Sequence, residues 1–264
     1  MTGALAAPYL EVWLLAFTLI LVRVTTFVSV FPLFGGKSLP RLIKIGLSIS
    51  LSLFWLSTYP LSSLAALAFT HSNIHWLAFG LAVVRELIMG AMLGFAFGLL
   101  VLPARIAGSY IAQELGLTLA SLADPATNSQ TNAVGQLFES LAIILFFVFN
   151  IHHVVLGSLH ASLQRWPVGG DIAWGTLHLF PAALDEAHEW GFLLAAPLAT
   201  CLFVTLVLLV VLMKVAPQFN LFSIGLTLRL ALGLVATVVF LPEMMAMMVQ
   251  ILQRAGNIGQ WFGI

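Results

Sequence analysis

Apolar residues in this chain come in long, nearly unbroken blocks, not at the alternate or every-third positions of a half-buried element. Blocks near the roughly 20 residues that cross a bilayer run over Leu10–Phe31, Ile43–Thr58, Leu77–Leu102, Ala133–Leu159, Trp190–Met213 and Leu221–Val249. The second is short unless it continues past Tyr59–Pro60 into Leu61–Phe69 as a kinked extension. The pattern predicts six spanning helices. One stretch departs from it. From Glu114 to Gln136 the sequence reads ELGLTLASLADPATNSQTNAVGQ, a half-length apolar run that gives way to Asp124, Pro125 and a polar cluster before the next long block. Together with the preceding Ile106–Ala123 it reads as a re-entrant or plug-like arm, since irregular backbone at membrane depth is tolerated only inside protein or along a water-filled cavity.

Composition fits an integral membrane protein. Of 264 residues, 61% are hydrophobic and 8% charged, against roughly 25% charged in soluble domains, and mean hydropathy is +1.08. Net charge is zero and no basic run stands out, which argues against a nucleic-acid partner. The single Cys201 lies in an apolar run and is expected to be a buried thiol. The opening MTGALAAPYLEVW lacks a positive n-region and carries Glu11, so the first block is expected to be a retained helix and not a cleaved signal.

Basic residues near block ends orient the chain. With six crossings Lys37, Arg41, Lys44, Arg105 and Lys214 fall on one side, expected to be cytoplasmic, while Arg165 and Arg254 run against the rule. The Pro60–His75 and Arg165–Glu189 loops then lie on the other side, and the last two blocks form a helical hairpin.

Few residues carry chemistry. Gly90, Gly94 and Gly98 line one helix face at four-residue spacing, which lets another backbone come close; whether that neighbour belongs to this chain or to a partner stays open. Arg23, Arg85, Glu86, Glu114, Glu139 and Arg229 lie in or beside apolar blocks, where charge is expensive and is paired or faces a cavity. Either inter-helix pairing or an ion relay fits, and the absence of a cluster of acids at helical spacing among these charges favours pairing. Arg85 and Glu86 point about 100° apart on a helix and are expected to have different partners. His71 and His75 stand at metal-compatible spacing without a nearby third ligand, and His152 and His153 are adjacent; with Asn150 they are expected to bond to neighbouring helices. Phosphate-binding glycine loops, nucleophile elbows and HExxH are absent from the sequence, so no catalytic residue, cofactor or metal is expected.

Three stretches carry a family resemblance: Arg23 with FPLFGGKSLPRLIKIGLSISLSL (Phe31–Leu53), GSYIAQELGLTLASLADPATNSQTNAVGQLFESLAIILFFVFNIHHVVLGSLHASLQRWPVG (Gly108–Gly169), and LMKVAPQFNLFSIGLTLRLALGL (Leu212–Leu234). Their order and spacing, over almost the whole chain, resemble the FliR/SctT family, the T-component of the bacterial type III export apparatus. Two departures stand out. Asn150-Ile151-His152-His153 replaces the family's Asn-Gly-His, and Lys214 replaces the Arg of its Arg-x-x-Pro-Gln-x-Asn loop. Ser223-Ile224-Gly225 looks closer to flagellar than to injectisome members.

The resemblance implies a non-enzymatic export-gate subunit in the inner membrane and flagellar basal body. It implies a P-like part, residues 1–189, followed by a Q-like hairpin, residues 190–264. A plug would lie at roughly Gly116 to Thr131, involving Gly116, Leu117, Leu119, Leu122, Asp124, Pro125, Asn128 and Asn132. A cytoplasmic hairpin turn would carry Lys214, Pro217, Gln218 and Asn220. The implied partners are the P- and Q-type subunits FliP and FliQ, the B-type switch protein FlhB, the A-type FlhA, rod or needle-base proteins, lipid, and unfolded export substrates. The residues by themselves also admit a secondary transporter, which would need a second broken segment in a corresponding half that the sequence lacks, or a plain assembly subunit.

Overall fold

The computed structural model describes residues 6–35, 40–58, 76–116, 133–170, 175, 178–215, 225–256 and 258. These form nine helices: α1 (Ala6–Val30), the short α2 (Pro32–Gly35), α3 (Arg41–Thr58), α4 (Trp76–Gly98), α5 (Leu102–Glu114), α6 (Ala133–Val148), α7 (Ile151–Arg165), α8 (Leu179–Val215) and α9 (Leu226–Gln253). Five are long and apolar enough to cross a membrane, and six crossings result if the bent pair α6–α7 counts as one. The fold is that of an all-α integral membrane protein.

Packing within the helices confirms the solvent they are built for. In α3 the buried residues are Ser48, Ser52 and Trp55, while Leu42, Ile43, Ile45, Ile49, Leu53 and Phe54 are exposed. Each serine returns its hydroxyl to the carbonyl one turn back, Ser48 to Lys44 at 2.9 Å and Ser52 to Ser48 at 2.6 Å. Two serines and one tryptophan thus lie inward while large apolar side chains face outward, an arrangement that lipid permits. In α8 one stripe is buried, Ala183, Ala187, Gly191, Leu194, Leu198, Leu202, Thr205 and Leu209. The opposite face is equally apolar, with Phe203, Val204, Val207, Leu208 and Val211 exposed. A helix apolar all round belongs in a membrane or deep inside a protein.

The chain divides into two compact units. One comprises Met1–Gly98, His152–Phe180 and Ala255–Ile264; the other comprises Leu99–Ile151 and Pro181–Arg254. In the first, α1 packs on α3 and α4; in the second, α5 packs on α6.

Three apolar blocks differ from the helices they became. The third, expected to run to Leu102, stops at Gly98, turns through Leu99–Val101 and restarts as α5. Pro103 sits in the first turn of α5, where its missing N–H costs nothing; inside a continuous helix its ring would strike the carbonyl four residues back. The fourth, expected to be one helix over Ala133–Leu159, breaks at Phe149–Asn150. Asn150 has φ of 56°, the one non-glycine with positive φ among the described residues, and so turns the chain. The fifth begins earlier than Trp190. Residues from Leu179 onward, read as part of an outer loop, are rich in the helix formers Ala, Leu and Glu and extend α8 to 37 residues. That is about 55 Å of helix, well beyond the roughly 30 Å of hydrocarbon. A boundary at residue 190 therefore falls within a continuous helix.

Asn is one of the few residues that enter the left-handed region readily. Asn150→Val is expected to lower stability by about 1–2 kcal/mol, and Asn150→Gly to leave it unchanged, in unfolding titrations of the purified protein.

Candidate functional site

The deepest polar contact begins with α1. Arg23 is 1% exposed, and its position four residues before Phe27 places it on the face that packs against α4. Its Nε donates to Glu86 Oε2 at 2.5 Å. Its Nη1 donates to two carbonyls at the end of α7, Ser162 at 3.1 Å and Trp166 at 3.0 Å. The second Glu86 oxygen accepts from Gly169 N–H at 2.9 Å, and Gly169 takes the positive φ of 78° that this turn requires. A cation on the last carbonyls of α7 also meets the negative end of its dipole. Both ions are thus buried with most of their bonding capacity used.

The glycine row of α4 sets the distance at which this happens. A Cβ on Gly90 would run into the Arg23 carbonyl; on Gly94 it would lie 2.9 Å from the Phe27 carbonyl, and on Gly98 2.9 Å from Pro32 Cδ. The neighbour that the sequence left open is therefore the chain's own α1 and the start of α2. Glu86 lies one turn before Gly90 on the same face, so the close approach carries its carboxylate to Arg23. Arg85 lies half-buried beside it on α4.

In the second unit α5 is held by three helices. A Cβ on Gly108 would lie 2.5 Å from Gly135 Cα, and one on Gly191 would lie 2.7 Å from Ile106 Cγ2. These bring α6 and α8 against α5. A turn away from the Gly108–Gly135 contact Arg105 meets Glu139, with Nε donating to Oε2 at 3.2 Å. The far end of α5 is tied to α9, where Arg229 Nη2 donates to Glu114 Oε2 at 2.6 Å. One turn along α9, Gly233 leaves the space that the Leu115 side chain enters. The helix ends at Glu114, and in the turn after it Gly116 is buried and has φ of 77°.

Of the expected plug residues, Gly116 is described; Leu117, Leu119, Leu122, Asp124, Pro125, Asn128 and Asn132 lie outside the described residues, as do Pro217, Gln218 and Asn220. Lys214 is exposed in the last turn of α8. His71 and His75 lie outside as well. The rings of His152 and His153 stand 4.2 Å apart. Among the described residues no group of three His, Cys, Asp or Glu side chains could hold a metal ion.

Two features escaped the sequence. Arg254, which seemed only to run against the orientation rule, pairs with Glu186 and lies over the Trp190 ring at 4.3 Å. The end of α9 and the early part of α8 therefore meet, which makes the two helices antiparallel. Glu243, inside the sixth apolar block, is exposed. A charge count along each block would have found it.

A set of apolar helices locked by arginine–carboxylate pairs and backbone-close glycine contacts defines an integral membrane protein built for packing. The model of the family described as "Bacterial export proteins, family 1" matches residues 14–255, and the chain belongs to that family. It is 28% identical over 234 residues to the "Flagellar biosynthetic protein FliR" of Escherichia coli (strain K12), covering 87% of this chain and 85% of that one. It is 26% identical over 230 residues to the protein of the same name from Bacillus subtilis (strain 168), with 85% of each covered. The "Yop proteins translocation protein T" of Yersinia pestis is 25% identical over 245 residues, with 88% of each covered.

Removing one member of a buried ion pair leaves the other uncompensated, at a cost of roughly 3–5 kcal/mol. Glu86→Gln is expected to fall in that range, and Arg23→Leu with Glu86→Leu together to recover most of it. Arg105→Ala, at a half-exposed pair, is expected to cost under about 1 kcal/mol. Detergent unfolding curves of the three variants check the order.

Proposed function

We propose that this chain is the export-gate subunit of a bacterial flagellar type III export apparatus, forming part of the channel for unfolded substrates and the plug that closes it. The observation that carries this reading is the family match over residues 14–255, with flagellar names on the relatives from Escherichia coli and Bacillus subtilis. The Yersinia relative, named for Yop translocation, favours the injectisome as the second reading.

On this reading the protein acts by steric closure and carries out no catalysis. Residues 1–189 form the P-like part and 190–264 the Q-like hairpin. The arm from about Gly116 to Thr131 closes the channel at rest and moves aside for substrate. The placement of α5 supports this. It is fixed by α6, α8 and α9 and is followed by Gly116 with positive φ, a firm stem with conformational latitude just beyond its end. Lys214, Pro217, Gln218 and Asn220 form the cytoplasmic turn near the FlhB-type switch protein. FliP-, FliQ- and FlhA-type subunits and rod or needle-base proteins complete the assembly in the inner membrane.

Deleting Ala123–Asn132 is expected to raise small-ion conductance of membranes carrying the assembled complex above the wild-type background. Conductance that stays at background in a fully assembled deletion variant would remove the plug assignment.

A further inference from the structure

One charged residue in the apolar spans has no counterpart among the described residues. Glu243 sits on α9, which runs from Leu226 to Gln253 and qualifies as a membrane span from Thr227 onward. About 15 Å of helix rise separates it from Gln253, so it lies well inside the span and not at its edge. Its surroundings on the exposed face are apolar: Leu232, Val235, Val238 and Val239 all stand open, Val238 at 72% and Val239 at 65%. Glu243 itself is exposed and makes no ion pair or hydrogen bond with any described residue. The arginines of this helical hairpin are already taken, Arg229 by Glu114 and Arg254 by Glu186.

Val235, Val239 and Glu243 follow one another at four-residue spacing on this face, and two turns further along it Gln250 is exposed. An ionisable group in a spanning segment normally meets an opposite charge or faces a polar path, and a carboxylate with no partner among the described residues selects a cationic group with N–H donors.

We propose that the Val235–Val239–Glu243 face of α9 docks an apolar helix of another membrane subunit that carries a lysine or arginine within its span, the cation bonding Glu243. Pairing of α9 with the α9 of a second copy fits less well, because Arg229, the cation within this helix, is already engaged by Glu114. The proposal rests on the reading of the chain as a subunit of a multi-protein assembly, and gives that assembly one specific contact.

The test uses the full chain co-expressed with its neighbouring genes and purified from membranes. A photo-crosslinking residue at Val239, one turn from Glu243, should give an adduct with a different membrane protein, at a helix containing Lys or Arg. Glu243→Lys should reduce the recovered partner at least tenfold, Glu243→Gln less, and changing the partner's cation to Glu should restore recovery with Glu243→Lys. The unfolding midpoint of each variant purified alone controls for folding. An adduct with lipid or with a second copy of this chain overturns the proposal, as does a crosslinked helix without a cation or undiminished recovery with Glu243→Lys. If the wild-type chain carries no other subunit, the assembly reading fails and this contact with it. If the wild type and Glu243→Lys carry partners equally, only the contact fails.

Discussion

The first unit depends on burying an arginine. Arg23 lies where a charge without partners would be prohibitive, and the helices around it are arranged so that it is never without them. Glu86 comes from α4, two carbonyls come from the end of α7, and the turn after α7 adds Gly169 N–H to the same carboxylate. Three segments remote in sequence are thereby held to one register. The glycine row on α4 is the steric condition for this: with side chains at Gly90 and Gly94, α1 would have to stand off, and the short Arg23–Glu86 contact would open. The ion pair specifies the arrangement, and the glycines admit it.

The second unit reaches a comparable result with different means. There α5 is gripped by small residues more than by charge, with Gly108 against Gly135 and Gly191 against Ile106. The ion pairs stand at its margins, Arg105 with Glu139 near one end and Glu114 with Arg229 at the other. Where lipid gives no hydrophobic drive to bring helices together, van der Waals contact and a few polar bonds must hold them. This accounts for the buried serines of α3 and the buried Ala183, Ala187 and Gly191 of α8.

The spans were legible in the sequence because hydropathy over 20 residues needs no knowledge of neighbours. Arg23 and Glu86 were recognisable as charges that must be paired, but they stand 63 residues apart, and pairing across that separation is set by helix packing, which no local pattern records. Likewise the glycine row declared a close approach without naming what approached. The breaks were less visible than they should have been. Pro103 and Asn150 each mark a turn by local chemistry, yet a hydropathy average passes over a single residue of either kind. The opposite error occurred at Leu179–Glu189, where polar side chains suggested a loop although the backbone propensity was helical. The tip of the expected plug lies outside the described residues, so its reading rests on the chain's resemblance and not on geometry.

The Arg23 site also carries a schedule. Its first member enters the membrane with α1, while Trp166, whose carbonyl completes the arginine's bonds, follows 143 residues later. At the usual pace of bacterial synthesis, roughly 5–20 residues per second, that interval is about 7–30 s. For the first 63 residues of it, about 3–13 s at that pace, the Glu86 carboxylate has yet to be made as well. The same residue that makes the finished unit specific makes the nascent chain dependent on an environment that tolerates an unpaired arginine until Glu86 arrives.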